Sequence, residues 1–261
     1  MSSFIGLPGA LVEIRSPSQE ITSSDRSVSE MVPFSGRRVV QLGRRVRRSW
    51  SIDWSAQHPQ DYAVLDALTR WSTPLSWVGA LAQATNLLTP GQALLEHVSP
   101  VRGALELDED LWVTQWAVGH SSSTVSVTGA SPVPVRAGVP LTISAYVQRS
   151  DPAVPVQLVF GFRDATGAVV FSTTRDSPPG AQLQRAVWGL TPPAGSVELT
   201  VVFRYAAVLA APQVTWTPGA VPWAPGRGVY RVVVLPGSES PLIAHSRQVL
   251  TSAAYTIMEV G

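Results

Sequence analysis

Three kinds of side chain in this 261-residue sequence have the types and spacing that chemistry needs: a run of carboxylates, four histidines, and a set of aromatic and arginine residues spaced along strand-like segments. The carboxylates stand at 106–110 as ELDED. Alternating acids on a loop gather a hard cation, and Glu106, Asp108 and Asp110 are the ligands that a calcium ion would use there. The run lacks the glycine turn of a dedicated calcium loop and leads straight into a strand-like segment. A solvated acidic turn fits it better. The same acids would suit a paired-carboxylate glycosidase, but that needs a second carboxylate across a groove, and no spacing picks one out. His58, His97, His120 and His245 each stand alone in polar or turn-like contexts, and HExxH, GxSxG and P-loop motifs are absent. Hydrolysis needs a positioned acid, base or nucleophile. No catalytic residue is therefore expected, and no cofactor beyond the calcium just named.

Binding is the other chemistry. Sugars stack their apolar face on an exposed ring while neighbouring polar groups bond their hydroxyls. Tyr146 alternates with Ser144 and Gln148, and Trp188 with Gln182 and Gln184, so both rings fall on polar phases. Arg163 and Arg204 do so too. If their strands share one sheet, these four line a shallow sugar groove; if each sheet has its own wet face, they do not meet. Trp112 and Trp116 read as core, and Trp216 and Trp223 as packing beside Pro-rich turns.

A cluster of arginines, Arg37, Arg38, Arg44, Arg45, Arg47 and Arg48, of which Arg37, Arg38, Arg45 and Arg47 are the interface candidates, invites a nucleic-acid reading. Charge argues against it: the first 84 residues hold nine Arg against seven acids, and the whole chain is only +1. Outward arginines on a hairpin suit bidentate pairing with carboxylates of a neighbouring subunit. DNA passing through a lumen is the lesser alternative.

The elements that must position these residues fall in two textures. Up to about residue 84 the chain reads as a small α+β unit. It has a strand at 11–15, a Ser-rich loop or arm at 21–32, and a hairpin of 37–42 with 44–54, broken at Gly43. In the second of these strands Val46, Trp50, Ile52 and Trp54 face one side and Arg45, Arg47, Ser49, Ser51 and Asp53 the other. Residues 59–71 read as a helix, with Pro59 at its first position and an apolar stripe of Tyr62, Val64, Leu65, Leu68 and Trp71. Residues 75–78 read as a short strand. From residue 85, strand-like runs recur between Pro/Gly turns, at 111–118, 123–128, 139–148, 156–163, 168–174, 182–188, 197–206, 213–217 and 229–235. They predict a two-sheet sandwich of jelly-roll type. A last strand, at 254–260, is expected to return to the first unit. The predicted fold is thus mainly β: a platform of residues 1–84 with 237–261, and an inserted sandwich of 85–236.

Composition bounds the rest. Cysteine is absent, which excludes disulfides, thiolate catalysis and cysteine metal sites. No long apolar run is present, so no membrane span is expected, and the first residues lack the pattern of a secretory signal. Charged residues are only 14%, in keeping with large contact surfaces. All 19 basic residues are arginine, which reads as the imprint of a GC-rich genome.

The run FSGRRVVQLGRRVRRSWSIDW, the helical PQDYAVLDALTRW and the following PLSWV resemble the platform of tail proteins from siphophages of actinobacteria. NLLTPGQALLEHV, TVSVTGASPVPVRAGVPLTISAYVQ and APQVTWTPGAVPWAPGRGVYRVVV resemble the carbohydrate-binding-module-like jelly roll of many minor tail proteins, and YTIMEVG their terminal strand. The resemblance implies a virion structural protein of the tail tip, similar in layout to distal tail proteins and assembled in the host cytoplasm. It implies a ring, a hexamer in that family, between tail tube and baseplate, and a jelly roll offered to host cell-wall glycan. It also implies the structural calcium that such modules often hold. No membrane partner is expected. The alternative is a carbohydrate-binding module acting alone or beside an enzyme; a glycan hydrolase is the third.

Overall fold

The computed structural model describes all residues except 1, 16, 32–38, 99–104, 109, 110, 114, 115, 119–123, 150, 152, 179–181, 246, 247 and 261. For strand residues 26–31, 39–46, 105–108, 111–113, 116–118, 229, 230, 243–245 and 248 it describes the backbone alone. In chain order the elements are β1 (Phe4–Leu7), β2 (Ala10–Glu13), β3 (Gln19–Met31), β4 (Val39–Gln57), α1 (Ala63–Leu68), β5 (Leu75–Val78), α2 (Ala80–Thr85) and α3 (Pro90–Ala93). Then come β6 (Leu105–Asp108), β7 (Leu111–Val113), β8 (Trp116–Val118), β9 (Thr124–Ser126), β10 (Val133–Pro134), β11 (Leu141–Arg149) and β12 (Gln157–Arg163). The last are β13 (Val169–Asp176), β14 (Gln184–Leu190), β15 (Glu198–Arg204), β16 (Ala206–Thr215), β17 (Val229–His245) and β18 (Gln248–Glu259). Two compact units result. One is Ser2–Ile5, Val12–Leu75 and Tyr230–Gly261; the other is Gly6–Leu11 and Ser76–Val229.

The first unit is built on the sheet β2-β1-β5-β17-β18-β4-β3, in which β1, β2, β5 and β17 straddle the division. Its closing strand β18 runs antiparallel to β4, with Ala254 opposite Asp53 and Ile257 opposite Trp50. The alternation read along β4 holds: Trp50, Ile52 and Trp54 are buried. Trp54, Tyr62 and Tyr255 form a ring triangle with centroids 5.9–6.2 Å apart. The polar handles of these rings are satisfied, as buried N–H and O–H groups must be. Trp54 Nε1 donates to the Arg15 carbonyl at 2.8 Å, Tyr255 Oη donates to Glu239 at 2.8 Å, and the Tyr62 and Thr251 hydroxyls bond each other.

Two expectations for this unit are corrected. Residues 21–32 do not form a loop: most of them lie in β3, paired with β4 throughout. Its residues 19–25 are all exposed, so the ladder and not a buried phase makes this strand, and its polar composition hid it. Nor does Gly43 end a strand. β4 runs on through it, and Gly43, Arg44 and Arg45 together oppose Ser27 alone, an irregularity that absorbs the extra length. The helix is also shorter than predicted. Pro59 opens a single 3-10 turn, and the α-helix covers only Ala63–Leu68.

The second unit is the jelly-roll-type sandwich. Its sheets are β14-β11-β16-β8 and β10-β15-β12-β13, with β9 also on β15; β6 and β7 pair separately. Leu158, Phe160 and Phe162 of β12 and Leu199, Val201 and Phe203 of β15 are all buried on one phase, opposite Ile143, Ala145 and Trp188 of the other sheet. Trp188 meets Phe203 across the sandwich at 5.7 Å between centroids. Helices α2 and α3, absent from the sequence reading, precede the strands. Thr89 and Gln92 close a reciprocal capping box on α3.

Candidate functional site

The two outer faces of the sandwich decide what it can bind. On β14-β11-β16-β8 the phase Thr142, Ser144 and Tyr146 points away from the sandwich core, as read, yet all three residues are buried. The cover is the Pro-rich stretch 217–228. Arg185, opposite Tyr146 in register, donates to Ser144 Oγ at 3.0 Å, to Gln213 Oε1 at 2.6 Å and to the Val221 carbonyl. Gln213 Nε2 donates to the Thr85 carbonyl at 2.6 Å and the Pro222 carbonyl at 3.0 Å. Trp223 packs on the cluster of Tyr146, Ala210 and Ala211.

Asn86 fastens this cover. It is 0% exposed. Its Nδ2 donates to the Pro212 and Ala224 carbonyls at 3.2 and 3.0 Å, and its Oδ1 accepts from Leu88 N at 3.1 Å and Val214 N at 3.2 Å. Every lone pair and proton that a buried amide offers is thus used. The chain passes so close here that a Cβ at Gly228 would lie 1.7 Å from the Leu87 carbonyl oxygen, which only glycine permits.

The predicted four-residue sugar groove is therefore corrected. Tyr146 and Trp188 are each only 8% exposed. Trp188 stands opposite Ile143 and faces the core, on the phase of Ala186 and Leu190, with Nε1 donating to the Asp176 carbonyl at 3.2 Å. Arg163 and Arg204 lie on the other sheet, on β12 and β15. The four residues do not share a surface, because β11 and β14 belong to one layer and β12 and β15 to the other.

The outer face of β13-β12-β15-β9 is open. Its register gives four rows of outward residues: Asp176, Gln157, Arg204, Thr124; Thr174, Val159, Val202, Ser126; Ser172, Gly161, Thr200; and Val169, Arg163, Glu198. Thr200 Oγ1 donates to the Gly161 carbonyl at 3.2 Å and Ser172 Oγ to the Phe160 carbonyl at 3.3 Å. Half-burial raises the Glu198 carboxyl above the usual carboxylate value, and the charge of Arg163 opposite partly offsets this.

The remaining predicted sites divide. Asp110, Arg37 and Arg38 lie outside the described residues, and the side chains of Glu106, Asp108 and Arg45 do too; the backbone of Glu106 and Asp108 belongs to β6. Among the described residues no cluster of three metal-binding side chains occurs. Arg47 is exposed on β4, directly opposite Asp25 of β3. Arg48, one of the six clustered arginines, pairs with Glu259 of β18 at 3.0 Å and tethers the closing strand. Among the described residues, His97 holds the Ser126 carbonyl through Nε2 at 2.8 Å, beside a cavity of about 400 Å³ whose lining includes Thr89, Gln92, Glu96 and Ser131. Arg185, Gln213 and Asn86, which fasten the cover of the other face, were not revealed by the sequence.

No family model matches the chain, and no curated protein does. Solved structures similar to it include the enzymatically active domain of tailspike protein 4 of bacteriophage CBA120, at 12% identity and TM-score 0.35, covering 50% of this chain and 21% of that one. The CBM22-1 xylan-binding domain of Xyn10C from Paenibacillus barcinonensis matches at 16% identity and TM-score 0.26, covering 40% and 72%. The VP2 subviral particle of infectious bursal disease virus matches at 10% identity and TM-score 0.27, covering 100% and 76%. At such scores and identities no function passes from these proteins to this chain.

Proposed function

We propose that the chain is a structural component of a phage virion, a tail-tip subunit that assembles in a ring between tail tube and baseplate, and that its sandwich serves host-surface glycan adhesion or stabilises the particle. The observation that carries the reading is the pairing of β18 with β4: the first and last segments form one sheet-based unit, and the sandwich is a lobe inserted between them. Such a division suits a subunit with one part for assembly and another for a separate task. Assembly has a surface to use. β3 is the last strand of its sheet and exposes residues 19–25, and an unprotected edge is a template for a neighbouring strand. Arg47, exposed on β4, would supply charged pairing at that junction, and Arg37, Arg38 and Arg45 stay part of the proposal. In a closed ring one such heterologous contact repeats at every step. No bond chemistry, cofactor or membrane partner is assigned; calcium at Glu106, Asp108 and Asp110 stays part of the proposal. Electron images of the purified chain test the reading. Rings support it; single particles that bind glycan support the alternative of a carbohydrate-binding module working alone or beside an enzyme.

A further inference from the structure

We infer that the outer face of the β13-β12-β15-β9 sheet is the binding surface of the sandwich, and that its ligand is an extended, hydroxyl-rich polymer carrying carboxylates. The inference rests on the adhesive role proposed above and gives it a place and a ligand class. The competing face is closed, since residues 217–228 lie across Ser144 and Tyr146 and use the donors of Arg185 and Gln213. The open face has three features that a merely wetted sheet does not need.

The first is Gly161, in the middle of the central strand β12. A glycine within a strand weakens it, and it marks either an irregularity or a close approach of something else. The register is regular at Gly161, opposite Ser172 on one side and Thr200 on the other; the β12–β13 irregularity lies beyond it, between Phe162 and Arg163. The missing side chain leaves room between the hydroxyl residues Ser172 and Thr200, where a Cβ would lie 3.1 Å from Thr200 Oγ1. The second is the state of those hydroxyls. Thr200 and Ser172 donate their protons inward to main-chain carbonyls, which leaves oxygen lone pairs facing out to accept bonds from a ligand.

The third feature is charge. Arg163 and Arg204 stand six residues apart along the face, roughly 20 Å at the usual rise of a strand. Arg163 is offset by Glu198. Gln157, between Arg204 and Asp176, spends its amide on Asp176 at 3.4 Å, and the Arg204 side chain has no hydrogen bond or ion pair to any described residue. An exposed guanidinium fork without a charge partner among the described residues matches a carboxylate. Aromatic anchors of the kind that centre a protein interface are missing from the four rows, whose apolar members are Val159 and Val202, both half-buried, and Val169, exposed at the far end beside Arg163.

The test is retention of the full chain on insoluble actinobacterial cell-wall sacculi, untreated and with their carboxyl groups amidated. The wild type is expected to be retained on untreated sacculi and about tenfold less on amidated ones. Arg204→Ala should lose about tenfold in apparent affinity with an unchanged melting temperature, since the side chain is exposed, and Arg204→Lys should fall between. Thr200→Val should weaken retention less. Wild-type retention that Arg204→Ala and Thr200→Val leave untouched overturns the assignment of this face while adhesion stands. Equal retention on amidated sacculi overturns the carboxylate. A wild type that is not retained at all overturns the adhesive role together with the face, and leaves ring assembly to be judged on its own images.

Discussion

Trp188 shows what period-2 reading can and cannot do for a single residue. Its strand begins Gln184-Arg185-Ala186-Val187, so both phases start polar, and the ring was assigned outward from Gln182 and Gln184. The buried set is Ala186, Trp188 and Leu190, and only the strand opposite, with Ile143 facing Trp188, reveals it. Tyr146 is the reverse case: its phase was legible, but its cover comes from residues about 75 positions later, which no local pattern reports. Trp188→Ala should accordingly cost about 3–5 kcal/mol in urea unfolding, the usual range for emptying a buried aromatic site. A loss below about 1 kcal/mol would mean that the ring is not core. Asn86→Ala strands two carbonyls and two N–H groups, and should cost about 2–4 kcal/mol in the same measurement. A neutral outcome would mean that water replaces the amide without loss.

At the scale of elements, apolar alternation located the strands that bury a face. Strand β5 was read to the residue, and β12, β15 and the buried half of β4 nearly so. What failed was made by backbone pairing: β3, a polar edge strand, and the passage of β4 through Gly43. The short helices α2 and α3 were hidden for another reason, since four to six residues carry too little periodicity to read. The meeting of β18 with β4 was legible in outline, since the last strand was expected to return to the first unit. Its centre, Tyr255, carries a pH signature. Burial among rings, and then its bond to Glu239, raise the phenol above its ordinary value. A raised acid favours the folded state while protonated. That contribution is whole below the unfolded phenol's pKa of about 10 and is lost as pH rises from there through the higher folded value. The urea midpoint should therefore fall above about pH 10, and fall less in Tyr255→Phe. Parallel profiles for the two proteins would show that Tyr255 does not titrate against the fold.

For the whole molecule, two units from one chain, with the sandwich inserted between strands that share a sheet, is the layout on which the proposed tail-tip role stands. The exposed β3 edge and the outward Arg47 make assembly the sharpest thing to ask of it. Arg45→Glu with Arg47→Glu should abolish assembly in sedimentation velocity while circular dichroism stays unchanged; assembly that persists would move the interface elsewhere. The most direct test is the light-scattering mass of the purified chain at physiological salt. A ring requires a single species at a whole-number multiple of 27.9 kDa. A species of 27.9 kDa at every concentration tried would contradict the account.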